Sequence, residues 1–262
     1  MGNELAEPVS YTSVRKLITL SFLFFIVPFL GLLLLKTQYD VTALYKYEVL
    51  HTVLVLAMSV LALLVAFFGY TVYEDSSDMR IMFIIFAFFT FGAIFTLHSM
   101  SLPSIGMASN DFFEMTESYS LLFVSLLVFI GASLPATASD SIYSKRWYIF
   151  ATIQVLVLSF FITAFSVPKI TTLLNQAPSV PAILTGILFI GSVVKLIQQY
   201  AKDHNEFIVS IILGISVILN ALTISPSHKE WDMEWWYIHF ILALSFAVAS
   251  FGILLRLLRK NK

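Results

Sequence analysis

The chain has 262 residues, of which 59 % are hydrophobic and only 12 % are charged, and its mean hydropathy is +0.90. Soluble domains carry about 25 % charged residues, so this composition excludes a soluble enzyme and a disordered regulator. The net charge of −1 offers no basic surface for nucleic acid, and the absence of cysteine excludes disulfides, iron–sulfur clusters and thiolate zinc sites. The composition therefore indicates an all-α, polytopic membrane protein.

Eight apolar stretches follow one another along the chain, and each is long enough to cross about 30 Å of hydrocarbon as a helix. They cover about residues 17–35, 49–72, 81–97, 119–137, 147–167, 180–200, 207–225 and 235–258. The stretches are continuously apolar, whereas the strands of a membrane barrel alternate. The sequence therefore predicts one transmembrane domain over residues 1–262, a bundle of about eight helices. The first stretch lacks a small-residue cleavage site after it, so we interpret it as a retained span rather than a signal peptide.

The basic residues predict the orientation of the bundle. With eight crossings both termini lie on one side, and eleven Lys and Arg fall on that side against four on the other. The positive-inside rule then places both termini in the cytoplasm. We expect an integral protein of a bacterial inner or plasma membrane. Its partners would be membrane lipids and either a cytoplasmic signalling protein or a second copy of the chain, with no nucleic acid.

Four ionisable side chains are predicted at similar depth, near the outer ends of three spans. Glu48 and His51 open the second span, His98 closes the third, and His239 lies about one turn into the eighth. Ionisable groups within a bilayer are costly and are usually functional or paired. Three imidazoles and a carboxylate suit zinc, iron or copper, and an open coordination position would allow metal-assisted hydrolysis. Glu48, His51, His98 and His239 are therefore candidate metal ligands.

Other interpretations of these residues stay open. Two imidazoles from His51, His98 and His239 would suffice to bracket a haem. Methionine thioethers in the outer loops would favour Cu(I); they are Met100, Met107, Met115 and Met233. His228 is a further candidate, whereas His204 is predicted on the cytoplasmic side. Alternatively, the histidines only pack, each with a hydrogen bond to a backbone carbonyl or a neighbouring helix.

Aromatic residues flank His239 in the sequence Trp231, Trp235, Trp236 and Tyr237. Such residues typically form a belt that anchors a span at the lipid headgroups. The belt is the favoured interpretation. Alternatively, one of these rings walls a ligand pocket around His239, and the two roles are compatible.

Three stretches resemble a known family: Glu48-Val49-Leu50-His51-Thr52, the segment from Leu97-His98 to Gly106-Met107, and Trp235-Trp236-Tyr237-Ile238-His239. They are similar to the multi-span membrane-associated sensor domains that precede histidine kinases and diguanylate cyclases in bacteria. The resemblance implies several spans, a cytoplasmic C-terminus and a sensing site near the outer helix ends. Unlike those domains, this chain is expected to carry no kinase or cyclase module after Leu258. A weaker likeness is to the membrane hydrolases that include alkaline ceramidases and progestin-type receptors, although their paired histidines in a late helix are missing.

These observations lead to one functional expectation and two alternatives. The first is a membrane sensor that binds a ligand or metal at the outer-leaflet His and Glu residues. The second is a membrane metalloenzyme or haem-binding redox protein that uses the same residues. The third is a structural or assembly subunit.

Overall fold

The computed structural model describes residues 11–39, 43–100, 110–135, 143–177, 179–224 and 231–260. These residues form nine helices and no strand. In chain order the helices are α1 (Tyr11–Gln38), α2 (Glu48–Ser76), α3 (Met79–Met100), α4 (Asn110–Ser133), α5 (Arg146–Ser166), α6 (Pro168–Leu174), α7 (Ser179–Asp203), α8 (Glu206–Ile224) and α9 (Met233–Lys260). The predicted all-α class is confirmed.

Seven of the described helices, all except α6 and α8, are long and apolar enough to cross a membrane. They correspond to seven of the eight predicted spans. The remaining prediction, at about 207–225, falls on α8, whose apolar part Glu206–Leu222 is shorter. The helix α4 begins at Asn110, well before the start of the predicted fourth span, and ends at Ser133, just before Pro135. Membrane-type helices are thus confirmed by length and composition.

The helix α3 forms the centre of the bundle. It packs against α2 on one side and α4 on the other, while α9 packs against both α2 and α8. The Phe91 ring stacks on Phe95 of the same helix at 3.9 Å between centroids, and it contacts Phe246 of α9 at 4.4 Å in a tilted arrangement. By contrast α1 and α5 are the least buried of the long helices. Their exposed apolar side chains suit a lipid solvent.

Gly92 allows α2 and α3 to pack closely. A Cβ atom at this position would lie 3.1 Å from the Ser59 carbonyl oxygen and 2.8 Å from Leu63 Cγ. Small residues at helix crossings bring backbones together and are enriched at membrane helix interfaces. This close contact helps to set the position of α3 relative to α2, and therefore which residues at their ends face each other.

A buried ion pair lies where α2 ends and α3 begins, a region that we call the arginine end. The Arg80 guanidinium pairs with Asp78 in the α2–α3 turn and lies 2.6 Å from Asp203 Oδ2 at the end of α7. The Asp78 carboxylate also accepts the backbone N–H of Arg80 at 2.9 Å. The opposite end, where α2 and α9 begin and α3 ends, is the histidine end. There Lys36 of α1 pairs with Glu234 of α9.

Candidate metal centre

Three histidines from three helices meet at the histidine end. His51 of α2, His98 of α3 and His239 of α9 are each 0 % exposed, and one ring nitrogen from each lies within 4.8 Å of the others. With such separations one point lies within about 2.8 Å of all three nitrogens. If each nitrogen moved about 0.7 Å towards that point, it would reach the zinc–nitrogen bond length of about 2.0–2.1 Å. The predicted convergence of these three residues is therefore present in the fold.

The helix connections explain this convergence. Only Ser77 and Asp78 separate α2 from α3, and a connection this short makes the two helices antiparallel neighbours. The start of α2, with His51, consequently lies beside the end of α3, with His98. The Asp232 carboxylate accepts the Trp235 N–H at 2.7 Å and caps the start of α9, which sets the position of His239.

Hydrogen bonds at Nδ1 orient two of the rings. His239 Nδ1 lies 2.9 Å from the Trp235 carbonyl oxygen, which can only accept, so this nitrogen carries the proton. His239 Nε2 then bears a lone pair, and it is buried without a hydrogen bond from the described residues. His98 Nδ1 lies 2.7 Å from Thr116 Oγ1 of α4. Metal-ligating histidines typically make this kind of second contact, which fixes the tautomer and the ring orientation.

Tryptophan rings enclose the histidines. The Trp235 ring stacks on His51 at 4.9 Å between centroids and lies 4.1 Å from His239, and Trp231 contacts His51 edge-on at 5.7 Å. Trp231, Trp235 and Trp236 are all at most 9 % exposed. Trp235 lies beside His239, and whether it walls a ligand pocket there stays a prediction. These three rings are buried rather than turned towards lipid, so the predicted belt does not describe them.

The segment before α2 holds this aromatic wall in place. The Tyr45 N–H donates to the Trp231 carbonyl at 2.7 Å, and Trp236 Nε1 donates to the Tyr45 carbonyl at 2.8 Å. Trp231 adopts a left-handed φ of 68°. Such a conformation is uncommon for a bulky residue and persists only where the surrounding contacts impose it. The strained backbone places the Trp231 ring against His51.

Glu48 is not part of the histidine group. Its Oε1 atom lies 3.2 Å from Lys46 Nζ, and the side chain is 30 % exposed. The group of closely spaced potential ligands among the described residues contains His51, His98 and His239 alone. Glu48 is the first residue of α2, so its side chain reaches the charged segment before the helix instead of the interior.

The methionines have other surroundings where the structure describes them. Met115 packs in a separate apolar cluster with Ile94 and Phe161, and Met233 lines a surface groove with Tyr45 and Trp236. The residues Met107 and His228, and the side chain of Met100, lie outside the described part of the chain. His204 lies on the arginine end, where its ring is 6.0 Å from Tyr200.

Sequence reasoning missed Thr116, the partner of His98. The fourth span was predicted to begin at Tyr119, whereas α4 begins at Asn110 and places Thr116 inside the helix. Thr116 is 0 % exposed. The start of α4 could have been found from Asn110 and Asp111, because Asn and Asp are residue types that commonly begin helices.

No protein-family model, curated protein or solved structure matches this chain. Its class therefore follows from the fold and the site. Where the structure describes the chain, the protein is all-helical, with seven helices long and apolar enough to cross a membrane, and it holds a buried group of three histidines.

Proposed function

We propose that this integral membrane protein binds one transition-metal ion through His51, His98 and His239. The observation that carries the proposal is the convergence of three ring nitrogens, together with the buried Nε2 lone pair of His239. Leaving a buried acceptor without a hydrogen bond costs about 1–3 kcal/mol. A metal ion would take up this lone pair, whereas a purely packing role leaves it unexplained.

The donor set favours Zn²⁺, with divalent iron and copper as the alternatives. Imidazole suits all three metals. Among the described residues the methionine thioethers at Met115 and Met233 have other packing partners, which disfavours a Cu(I) site. Three protein ligands leave a fourth position for water or another donor.

A single ion accounts for the geometry better than a haem. A haem iron takes its two axial ligands on opposite faces of a flat macrocycle. Here a third ring nitrogen lies within 4.8 Å of both others, so it would occupy the plane that the macrocycle needs. Two histidines could therefore not hold a haem while the third kept its position.

The burial of the site favours sensing over hydrolysis. All three histidines are 0 % exposed behind tryptophan rings, so a substrate lacks a path to a metal-bound water without rearrangement. Metal binding would instead favour one arrangement of α2, α3 and α9, and α9 extends to Lys260. A ligand shifts such an equilibrium by its difference in affinity for the two states. This is the behaviour expected of a sensor domain, which the sequence resembles.

The topology that accompanies this proposal has eight crossings, with α8 as a short span. At the end of α9 the Arg256 guanidinium donates to Asn205, directly before α8, and Lys36 at the end of α1 pairs with Glu234 at the start of α9. The end of α1 therefore lies beside the start of α9, at the histidine end. These contacts support the proposal that the start of α1 and the end of α9 both lie at the arginine end. The bias of basic residues towards that side supports a cytoplasmic position.

Metal analysis of the purified full chain tests the proposal. After exposure to Zn²⁺ and removal of unbound ion, we expect about one ion per chain, because three imidazoles suffice for a site. His239→Gln should lose the bound ion. His204→Gln is the matched control because it changes a histidine at the opposite end of the bundle, and it should keep the ion. Equal retention of zinc by the two variants would contradict the proposal, and so would a wild-type protein that binds none of zinc, iron and copper. A Soret absorbance band would identify haem instead.

A further inference from the structure

An apolar cavity of about 310 Å³ lies between α2, α3 and α5, near the arginine end. It is independent of the histidine site, which lies at the other end of these helices. Its volume is near the lower limit of typical ligand pockets, about 300–1,000 Å³. The walls are aliphatic and aromatic, and they include Ala66, Phe67, Phe86, Phe89 and Phe150. The cavity exists because α5 packs only lightly on its neighbours.

Two polar groups lie on the boundary of this apolar space. Tyr73 is 2 % exposed, and its hydroxyl is buried without a hydrogen bond among the described residues. Arg146, at the start of α5, likewise has a buried Nε atom without such a bond. Both residues line the cavity. Two donors beside an apolar space form the kind of site that orients an amphiphilic ligand.

The surroundings of Arg146 leave its positive charge available. The guanidinium stacks over the Tyr143 ring at 4.1 Å, and Nη1 donates to the Tyr143 carbonyl at 2.9 Å. Among the described residues no carboxylate lies within ion-pair distance of it. The stacking fixes the direction of the guanidinium while its charge remains uncompensated by a described ion pair.

We propose that this cavity binds one anionic phospholipid, with an acyl chain among the aromatic side chains and the phosphate beside Arg146 and Tyr73. Arginine binds phosphate through charge-assisted hydrogen bonds. The cavity lies between helices that suit a membrane, so a lipid tail is the apolar occupant available to it. Basic pockets between spanning helices are a known means of recognising lipid headgroups.

Native mass spectrometry of the full chain in detergent tests the proposal, with phosphatidylglycerol and phosphatidylcholine of identical chains as probes. We expect the first phosphatidylglycerol to bind about tenfold more tightly than phosphatidylcholine, which is the effect of about 1.4 kcal/mol. Arg146→Gln should abolish this preference. Lys145→Gln, which removes an adjacent exposed charge that does not line the cavity, should retain it. Equal losses in the two variants would indicate general surface charge and overturn the proposal.

Two further measurements separate the tail from the headgroup. Trp147 lines the cavity, so phosphatidylglycerol with brominated chains should quench its fluorescence, and the quenching should disappear in Trp147→Phe. Glycerol phosphate, which lacks acyl chains, should not displace the lipid. Displacement by glycerol phosphate would show that the site binds phosphate alone, without the lipid tail. Ala66→Leu, which fills part of the cavity, should weaken lipid binding without changing the metal content. Unchanged lipid binding in this variant would overturn the placement of the tail.

Discussion

The Thr116 hydroxyl contacts one of the three candidate metal ligands, His98, at short distance. It lies 2.7 Å from His98 Nδ1 and joins α4 to a histidine that belongs to α3. Fixing one ring nitrogen determines which nitrogen remains to bind an ion. The corresponding partner of His239 is the Trp235 carbonyl, a backbone group that mutation cannot remove. Thr116 is therefore the side chain through which this kind of positioning can be tested.

We expect Thr116→Val to lower zinc affinity by about 10–100-fold, because outer contacts of ligating histidines have effects of this size. Thr96→Val is the matched control. Its hydroxyl donates to the Gly92 carbonyl within α3 and does not contact a histidine, so zinc affinity should stay unchanged. The measurement is competition with a zinc chelator. Equal affinities in the two variants would show that the Thr116 contact does not position a ligand.

At the level of helices, the α2–α3 interface determines the site as much as the histidines do. Gly92 brings α2 and α3 together about halfway along the hairpin, and His51 and His98 lie further along the same interface. Their ring centroids are 5.4 Å apart. A change in helix separation at Gly92 would therefore move the two imidazoles relative to each other.

We expect Gly92→Ala to destabilise the protein by about 1–3 kcal/mol, because the added methyl would overlap Leu63 and the Ser59 carbonyl. Gly186→Ala on α7 is the matched control, since a Cβ atom there meets nothing within 4 Å. That variant should be neutral, or more stable by up to about 1 kcal/mol through helix propensity. Thermal unfolding in detergent measures both. Similar unfolding temperatures for the two variants would contradict close packing at Gly92.

Two different polar clusters distinguish the ends of the whole molecule. The arginine end holds the buried pair of Arg80 and Asp78 with the more exposed Asp203 beside it, whereas the histidine end holds the three imidazoles and their aromatic wall. Breaking a buried ion pair leaves an uncompensated charge and is strongly destabilising. The arginine end is therefore suited to hold α2, α3 and α7 together.

The proposed orientation can be measured directly because the chain contains no cysteine. In intact cells, a membrane-impermeant maleimide should label Thr37→Cys at the histidine end and should not label Ser144→Cys at the arginine end. The reason is that the basic residues favour the arginine end on the cytoplasmic side. Disruption of the cells should make both positions reactive, which controls for access. The reverse labelling pattern would invert the orientation, and labelling at both positions in intact cells would contradict the crossing number.

The sequence by itself determined the helices and their apolar character. The thickness of the hydrocarbon sets a minimum length for each span. The lengths and positions of the apolar stretches were therefore enough to locate seven helices that the structure describes. It also placed His51, His98 and His239 at similar depth, because depth follows from position within a span. Their burial and convergence agree with that prediction.

Only the tertiary structure decided which polar groups meet. Glu48 shares a helix end with His51, yet its carboxylate pairs with Lys46 outside the helix. Thr116 lies far from His98 in the sequence and still contacts it, since α4 begins earlier than its apolar stretch and packs on α3. Span length fixes depth in the membrane, but the rotation and separation of helices depend on side-chain packing, which a linear pattern does not specify.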